Sequence, residues 1–283
     1  MRFGVVAPND GRFADPAVLV GLACTAERAG WDGFFIYDHL LRRGRGTPLV
    51  DPWIVLAAVA MATSRVRIGP MITPIARRRP WKLARETVTL DRLSGGRLIL
   101  GVGLGNPEDE FTRFGEDSDP RVRGERLDEG LEVLAGLWSG MPFSYEGRHY
   151  EVDDVQFVPG SSQRPRIPVW VAGRWPNRGP FRRAARWDGA YPVHAEVSRH
   201  NVMSPQQILP VVDFLREQRG TLSSFDIVVH GISAGQRDAG DNEVVRELAD
   251  AGVTWWNELL DRPSVPFQAL EQRVQQGPPR MGI

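Results

Sequence analysis

The chain has 283 residues, 42% of them hydrophobic, with 35 basic and 35 acidic side chains and a formal net charge of zero. That length can bury a large core and fits one α/β barrel domain over residues 1–283, and neutrality removes any drive toward nucleic acid or an anionic membrane surface. A lone cysteine, Cys24, excludes an internal disulfide, and no run of about 18 apolar residues marks a membrane span or signal peptide, so a cytoplasmic protein is expected.

Residues 3–7 read as a buried strand, and Pro8, Asn9, Asp10 and Gly11 supply turn chemistry. Asp15-Pro16 opens a helix with an acidic cap and proline in its first turn; Leu19, Leu22, Ala23 and Ala26 form its apolar face and Gly30 ends it. Residues 34–36 are strand two, ending in Tyr37-Asp38-His39, and Asp51-Pro52 repeats the capping device before a helix over 53–63. Residues 66–71 are strand three, Pro80 starts helix three, Gly95-Gly96 stops it, and 97–102 are strand four. Two strands joined through a helix are parallel and buried. Pro70 is unusual inside such a strand and fits a bend, with a cis Gly69-Pro70 bond one way to make it.

Residues 106–124 are polar and read as a long, functional loop, followed by a helix over 126–138. Residues 143–157 alternate around Glu146-Gly147 as a hairpin inserted after the helix that follows strand four. Strands at 168–171, 189–192, 227–230 and 253–256 then alternate with helices at 180–186, 205–219, 242–251 and 265–274, leaving a loose tail from Gly277. Eight strands alternating with eight helices fit a closed (β/α)8 TIM barrel better than a doubly wound open sheet.

Such barrels carry their chemistry at the carboxyl ends of the strands. The residues there are Asn9, Asp38, His39, Thr73, Gly103 to Asn106, Gly173, Arg174, Tyr191, His194, His230, Ser233 and Glu258. His39 can exchange a proton near neutral pH, against the bland alternative of a surface histidine with Asp38 capping a loop. Gly101, Gly103 and Gly105 are spaced G-x-G-x-G and open no helix, which excludes a dinucleotide site. They either admit something flat or relieve a barrel corner. Gly173, Arg174, Arg178 and Gly179 precede a helix start at Pro180, a phosphate-binding pattern, or else an exposed basic loop. Arg77, Arg78 and Arg79 read as a solvated rim or subunit contact. No metal-ligand spacing or nucleophile elbow occurs, and a hydrolase would have to pair Asp38 with Glu258.

The segments AERAGWDGFFIYDHL, VRIGPMITPIARRRPWKLARETVTLDRLSGGRLILGVGLG, FSYEGRHYEVDDVQFVPG, VWVAGRWPN and RRAARWDGAYP resemble the bacterial-luciferase-like flavin-dependent oxidoreductases, as does AGVTWWNELL. The resemblance implies a barrel holding either reduced FMN, as a monooxygenase fed by a separate flavin reductase, or the deazaflavin coenzyme F-420 (hereafter F420) as a hydride carrier. A flavin-binding protein without catalysis is a further alternative. By the same resemblance Asp38 and His39 are catalytic. Thr73, Gly103, Leu104, Gly105 and Asn106 contact the ring, and Gly173, Arg174 and Trp175 hold the phosphate side, where the helix-start pattern already sets Arg178. A small-molecule substrate is implied, chosen by the loops at 44–47 and 106–120, and Trp- and Arg-rich surfaces on helices two and three make a homodimer expected.

Overall fold

The computed structural model describes residues 1–42, 46–195, 202–234 and 239–279, without the side chains of 239–241. In chain order it runs β1 (Arg2–Ala7), α1 (Pro16–Arg28), β2 (Gly33–Ile36), α2 (Pro52–Ala62), β3 (Arg67–Pro70), β4 (Thr73–Pro74), α3 (Pro80–Leu93) and β5 (Leu100–Gly103). Then follow α4 (Asp109–Thr112), α5 (Pro120–Trp138), β6 (Pro142–Glu146), β7 (Glu151–Gln156), β8 (Val169–Trp175), α6 (Gly179–Ala184) and β9 (Gly189–His194). The chain finishes with α7 (Pro205–Arg219), β10 (Asp226–Gly231), α8 (Ala239–Asp250), β11 (Trp255–Leu259) and α9 (Phe267–Gln275). Part of the 44–47 loop and the end of the tail lie outside the described residues. No described helix is long and apolar enough to cross a membrane.

Nine strands form one parallel sheet in the order β3-β2-β1-β11-β10-β9-β8-β5-β4. A parallel bridge between Ile68 and Leu98 brings its two ends together, giving the nearly closed barrel expected. The seam is tight: a Cβ on Gly69 would fall 1.9 Å from the Ile99 carbonyl oxygen, so only glycine fits there. β6 and β7 pair separately and antiparallel after α5.

Strand alternation sorts the side chains into two cores. On β1, Val5 and Ala7 pack outward under the helices while Val6 points into the barrel. The interior is plugged by Phe35, Trp170 and Trp255, with ring centroids 5.1–6.0 Å apart. These rings fill the barrel interior together with Val6, Val228 and Leu259.

Three differences from the expected elements matter for the site. Strand three is two pieces, β3 and β4, separated by a bend at Met71-Ile72, whose peptide is cis; Gly69-Pro70 is not. The 106–124 loop holds the short helix α4 and the first turn of α5, which starts early because Asp119-Pro120 is a third copy of the capping device: the Asp119 carboxylate accepts from Arg121 N at 2.7 Å, as Asp15 and Asp51 do at their own helix starts. β8 runs on to Trp175 and β11 to Leu259, so Arg174, Trp175 and Glu258 lie within strands rather than in loops.

Candidate active site

Where the strands end, a cavity of about 690 Å³ opens above the aromatic plug. Its walls include Met71 and Ile72 from the β3–β4 bend, Ala172 from β8 and Val193 from β9, with His39, Glu110, Tyr191 and His230 among its polar members. Arg174 and Asn177 stand on its exposed rim.

His39 follows β2, and its Nδ1 lies 3.0 Å from Glu110 Oε1. Glu110 sits on α4, and its side chain is fully buried. The same oxygen accepts the backbone amides of Leu40 at 2.8 Å and Leu41 at 3.0 Å, while Oε2 is paired with Arg77. Burial works to raise the Glu110 carboxyl, but the bond from His39 and the charge of Arg77 outweigh it and hold it below its ordinary value. An ionised carboxylate on Nδ1 makes that nitrogen the donor, so Nε2 is left to take or give a proton. Asn9 steadies the turn from beneath, its Nδ2 donating to the carbonyls of His39 and Val50 at 2.9 Å each.

Asp38 has a different place from the one its neighbour suggests. It is buried, and its carboxylate accepts from Thr73 Oγ1 at 2.8 Å, Trp53 Nε1 at 3.2 Å and both Arg77 and Arg78. Burial would raise its carboxyl, yet Arg78 and Arg77 outweigh that and lower it. Asp38 lines the cavity beside His39, and a carboxylate so fully engaged holds the site together. Thr73 is correspondingly spent on Asp38 and does not line the cavity, whose wall at this bend is formed by Met71, Ile72 and Pro74. The arginine run is no solvated rim either. The Arg77 side chain is 2% exposed and ties Glu110 to Asp38, Arg78 closes over Asp38 and Trp53, and only Arg79 stays outside.

Gly103, Leu104, Gly105 and Asn106 line the cavity, but the missing side chains have an internal explanation. A Cβ on Gly101 would come within 2.4 Å of the Pro70 carbonyl oxygen, and one on Gly103 within 2.5 Å of Ile72 Cδ1. Gly105 has φ +86°, and a Cβ there would meet Pro74 at 2.8 Å. The β3–β4 bend therefore requires Gly101 and Gly105 by itself, while at Gly103 the close neighbour is only the tip of the Ile72 side chain.

Of the expected phosphate-side residues, Gly173 and Arg174 line the cavity, joined by Asn177. Trp175 and Arg178 do not. Trp175 packs on Phe181 and Phe214 at 5.4 and 5.9 Å, and the Arg178 guanidinium sits 5.3 Å from the Phe214 ring. Glu258 is buried away from the cavity, accepting from Ser233 N and Oγ at 3.0 and 2.6 Å beside Arg273. It is not brought together with Asp38, so the hydrolase pair does not exist. No cluster of metal-ligating side chains occurs among the described residues.

Glu110 escaped sequence reasoning. It follows no strand, and within Pro107-Glu108-Asp109-Glu110-Phe111 only the burial of Phe111 beside it hints at which acid turns inward.

Comparison with known proteins places these features. The profile of the luciferase-like monooxygenases matches residues 1–191. An F420-dependent glucose-6-phosphate dehydrogenase of Microbacterium testaceum is 33% identical over 180 residues, 62% of this chain and 52% of that protein. The chain thus spans about half the length of the curated relatives it matches. Among solved structures, the monooxygenase RslO1 from Streptomyces bottropensis superposes with TM-score 0.78 at 21% identity, over 98% of this chain and 97% of that one. The coenzyme F420 dependent tetrahydromethanopterin reductase from Methanopyrus kandleri gives 0.75 at 19% identity, over 98% of each.

Proposed function

This chain belongs to the luciferase-like monooxygenase family, whose members are oxidoreductases, and from that premise we propose that it interconverts an alcohol and a carbonyl compound with F420 as the hydride carrier. The observation that carries this reading is His39 held through Nδ1 by a buried, ionised Glu110 at the edge of the cavity. Oxidising an alcohol requires a base for the hydroxyl proton, and a carboxylate-supported imidazole is such a base. The F420-dependent relative at 33% identity supports the same carrier.

The cavity suits a flat tricyclic ring. Its volume is in the range of small-ligand sites, and it offers apolar faces from three strands with a polar rim at Arg174 and Asn177. Met71, Ile72 and Ala172 would hold the ring and the rim its polar tail. When bound, the deazaflavin supplies the carbon that accepts or returns a hydride. The protein's part is protonic. His39 Nε2 takes the hydroxyl proton as the carbonyl forms and returns it in the reverse direction. Glu110 stabilises the resulting imidazolium, and Arg77 keeps Glu110 charged and oriented. Asp38, clamped between Arg77 and Arg78, fixes the turn that presents His39.

A second reading, a monooxygenase using reduced FMN from a separate reductase, is favoured by the description of the matching family. Titrating the purified protein with F420 and with reduced FMN, then following absorbance and oxygen uptake with a panel of alcohols and ketones, separates the two. Reduction of F420 by an alcohol without oxygen uptake is expected; oxygen uptake with FMN and no response to F420 would sink the hydride reading. The same reading has two copies of the chain meeting on α2, an apolar helix that leaves Ile54 and Met61 exposed at 74% and 70%.

A further inference from the structure

Tyr191 on β9 and His230 on β10 stand in the cavity wall, on strands remote in the barrel order from the β2 end that carries His39. The Tyr191 hydroxyl lies 2.7 Å from His230 Nδ1, with ring centroids 5.5 Å apart. Both residues are buried, and Tyr191 packs in the same interior layer as Phe35, Trp170 and Trp255. A polar pair is expensive in an apolar layer unless it is bonded, and the mutual bond meets that need. It does not exhaust the pair: a phenol offers one donor and two acceptor positions, and the bond to His230 uses one.

The hydride reading gives this pair no task, because His39 handles the proton and the ring needs apolar faces. A sugar phosphate would require a cation where its phosphate comes to rest. Among the described residues, Arg174, on the exposed rim, is the one arginine or lysine on the cavity. A phenol bonded to an imidazole is instead suited to an uncharged oxygen that both donates and accepts.

Resting on that hydride reading, we propose that the Tyr191–His230 pair binds a second, neutral oxygen of the substrate, remote from the carbon that reacts near His39. The substrate is then an uncharged, largely apolar alcohol or ketone with a further hydroxyl, in place of the sugar phosphate named for the Microbacterium relative.

Calorimetric titration of the F420-saturated protein with cyclohexanol, cyclohexane-1,4-diol and glucose 6-phosphate tests this. The diol is expected to bind about tenfold more tightly than cyclohexanol, the upper range for one neutral hydrogen bond. Tyr191→Phe removes that preference while leaving the Kd of cyclohexanol within about twofold. Glucose 6-phosphate gives no saturable heat. Equal binding of diol and cyclohexanol by the wild type, or tight binding of glucose 6-phosphate, overturns the proposal. Should Tyr191→Phe melt early, His230→Gln, which keeps the phenol, is the second variant, and full retention of the diol preference there also overturns it. The failures are distinguishable: a protein that prefers the diol but never reduces F420 loses the hydride reading alone. One that reduces F420 without the diol preference loses the substrate assignment alone.

Discussion

Replacing Glu110 by glutamine removes one charge with almost no change of shape. Glu110 Oε1 accepts from three donors, His39 Nδ1 at 3.0 Å, Leu40 N at 2.8 Å and Leu41 N at 3.0 Å, and Oε2 faces Arg77. An amide has one acceptor oxygen and one donor NH2. With the oxygen kept toward the three donors, the NH2 confronts the Arg77 guanidinium, donor against donor. Turned over, it confronts His39 and both amides. Either orientation leaves a buried group unpaired, at about 1–3 kcal/mol of stability. The larger effect is on rate, since the imidazolium formed at His39 loses its counter-charge. Positioned proton transfer is worth about 10²–10⁴ in rate, and a fall in kcat of about 10²–10³ is expected because the histidine itself remains. The assay is F420 reduction by an alcohol that supports turnover, read with the F420 Kd and the pH profile of kcat. His39→Gln should cost at least as much, and the double variant little more than His39→Gln alone, because the two groups act as a unit. A Glu110→Gln enzyme within about threefold of wild type, with its pH profile unmoved, would refute the assignment of His39 and Glu110 as the proton-handling pair.

Gly101→Ala places a methyl group 2.4 Å from the Pro70 carbonyl oxygen, which is backbone and cannot swing aside. It should cost about 1–3 kcal/mol in urea unfolding, the range for an overpacked core, and an unchanged midpoint would show that the β3–β4 bend is loose. Acid sensitivity follows from Asp38 and Glu110, whose carboxyls are both lowered in the folded protein. Their stabilisation is fully present above the ordinary values of 3.8 and 4.5 and is lost as pH falls through the lower folded values, so the melting temperature should drop below about pH 4.5. Asp38→Asn should flatten that drop and lower stability at neutral pH, and a melting curve as steep as the wild type's argues against it. Ile54→Arg puts a charge on the exposed face of α2. On the proposed α2 contact, sedimentation velocity should find it shifted toward monomer with F420 affinity retained, and an unaltered sedimentation coefficient would refute that contact.

The barrel was legible because its signals are local. Aspartate-proline pairs announce helices at Asp15 and Asp51, and branched apolar runs mark the strands between them. The same pair at Asp119-Pro120 is masked by the charged residues on both sides of it, which give the segment the composition of a loop. The site was less legible. His39 stands out by following a strand, yet its partner, Glu110, comes from 71 residues away through a four-residue helix. Arg77 and Arg78 look like surface charge in any local window; the Arg77 side chain is buried and Arg78 partly so because Asp38 and Glu110 converge on them, a long-range fact. The glycines after strand four misled in the opposite direction. Their pattern invites a ligand, whereas Pro70, Ile72 and Pro74 already account for it.

The three rings that stopper the barrel also govern traffic. Phe35, Trp170 and Trp255 pack across the barrel interior in one layer with Met71 and Tyr191 of the cavity wall, so the cavity is closed toward that interior. Two molecules that must lie against each other in such a dead end cannot arrive in arbitrary order. Whichever rests deeper enters first and departs last, and the shallower one bars its exit for the duration of the encounter. Steady-state kinetics should then show a compulsory order of addition, with the outer product inhibiting as a blocked door does, by trapping what lies behind it.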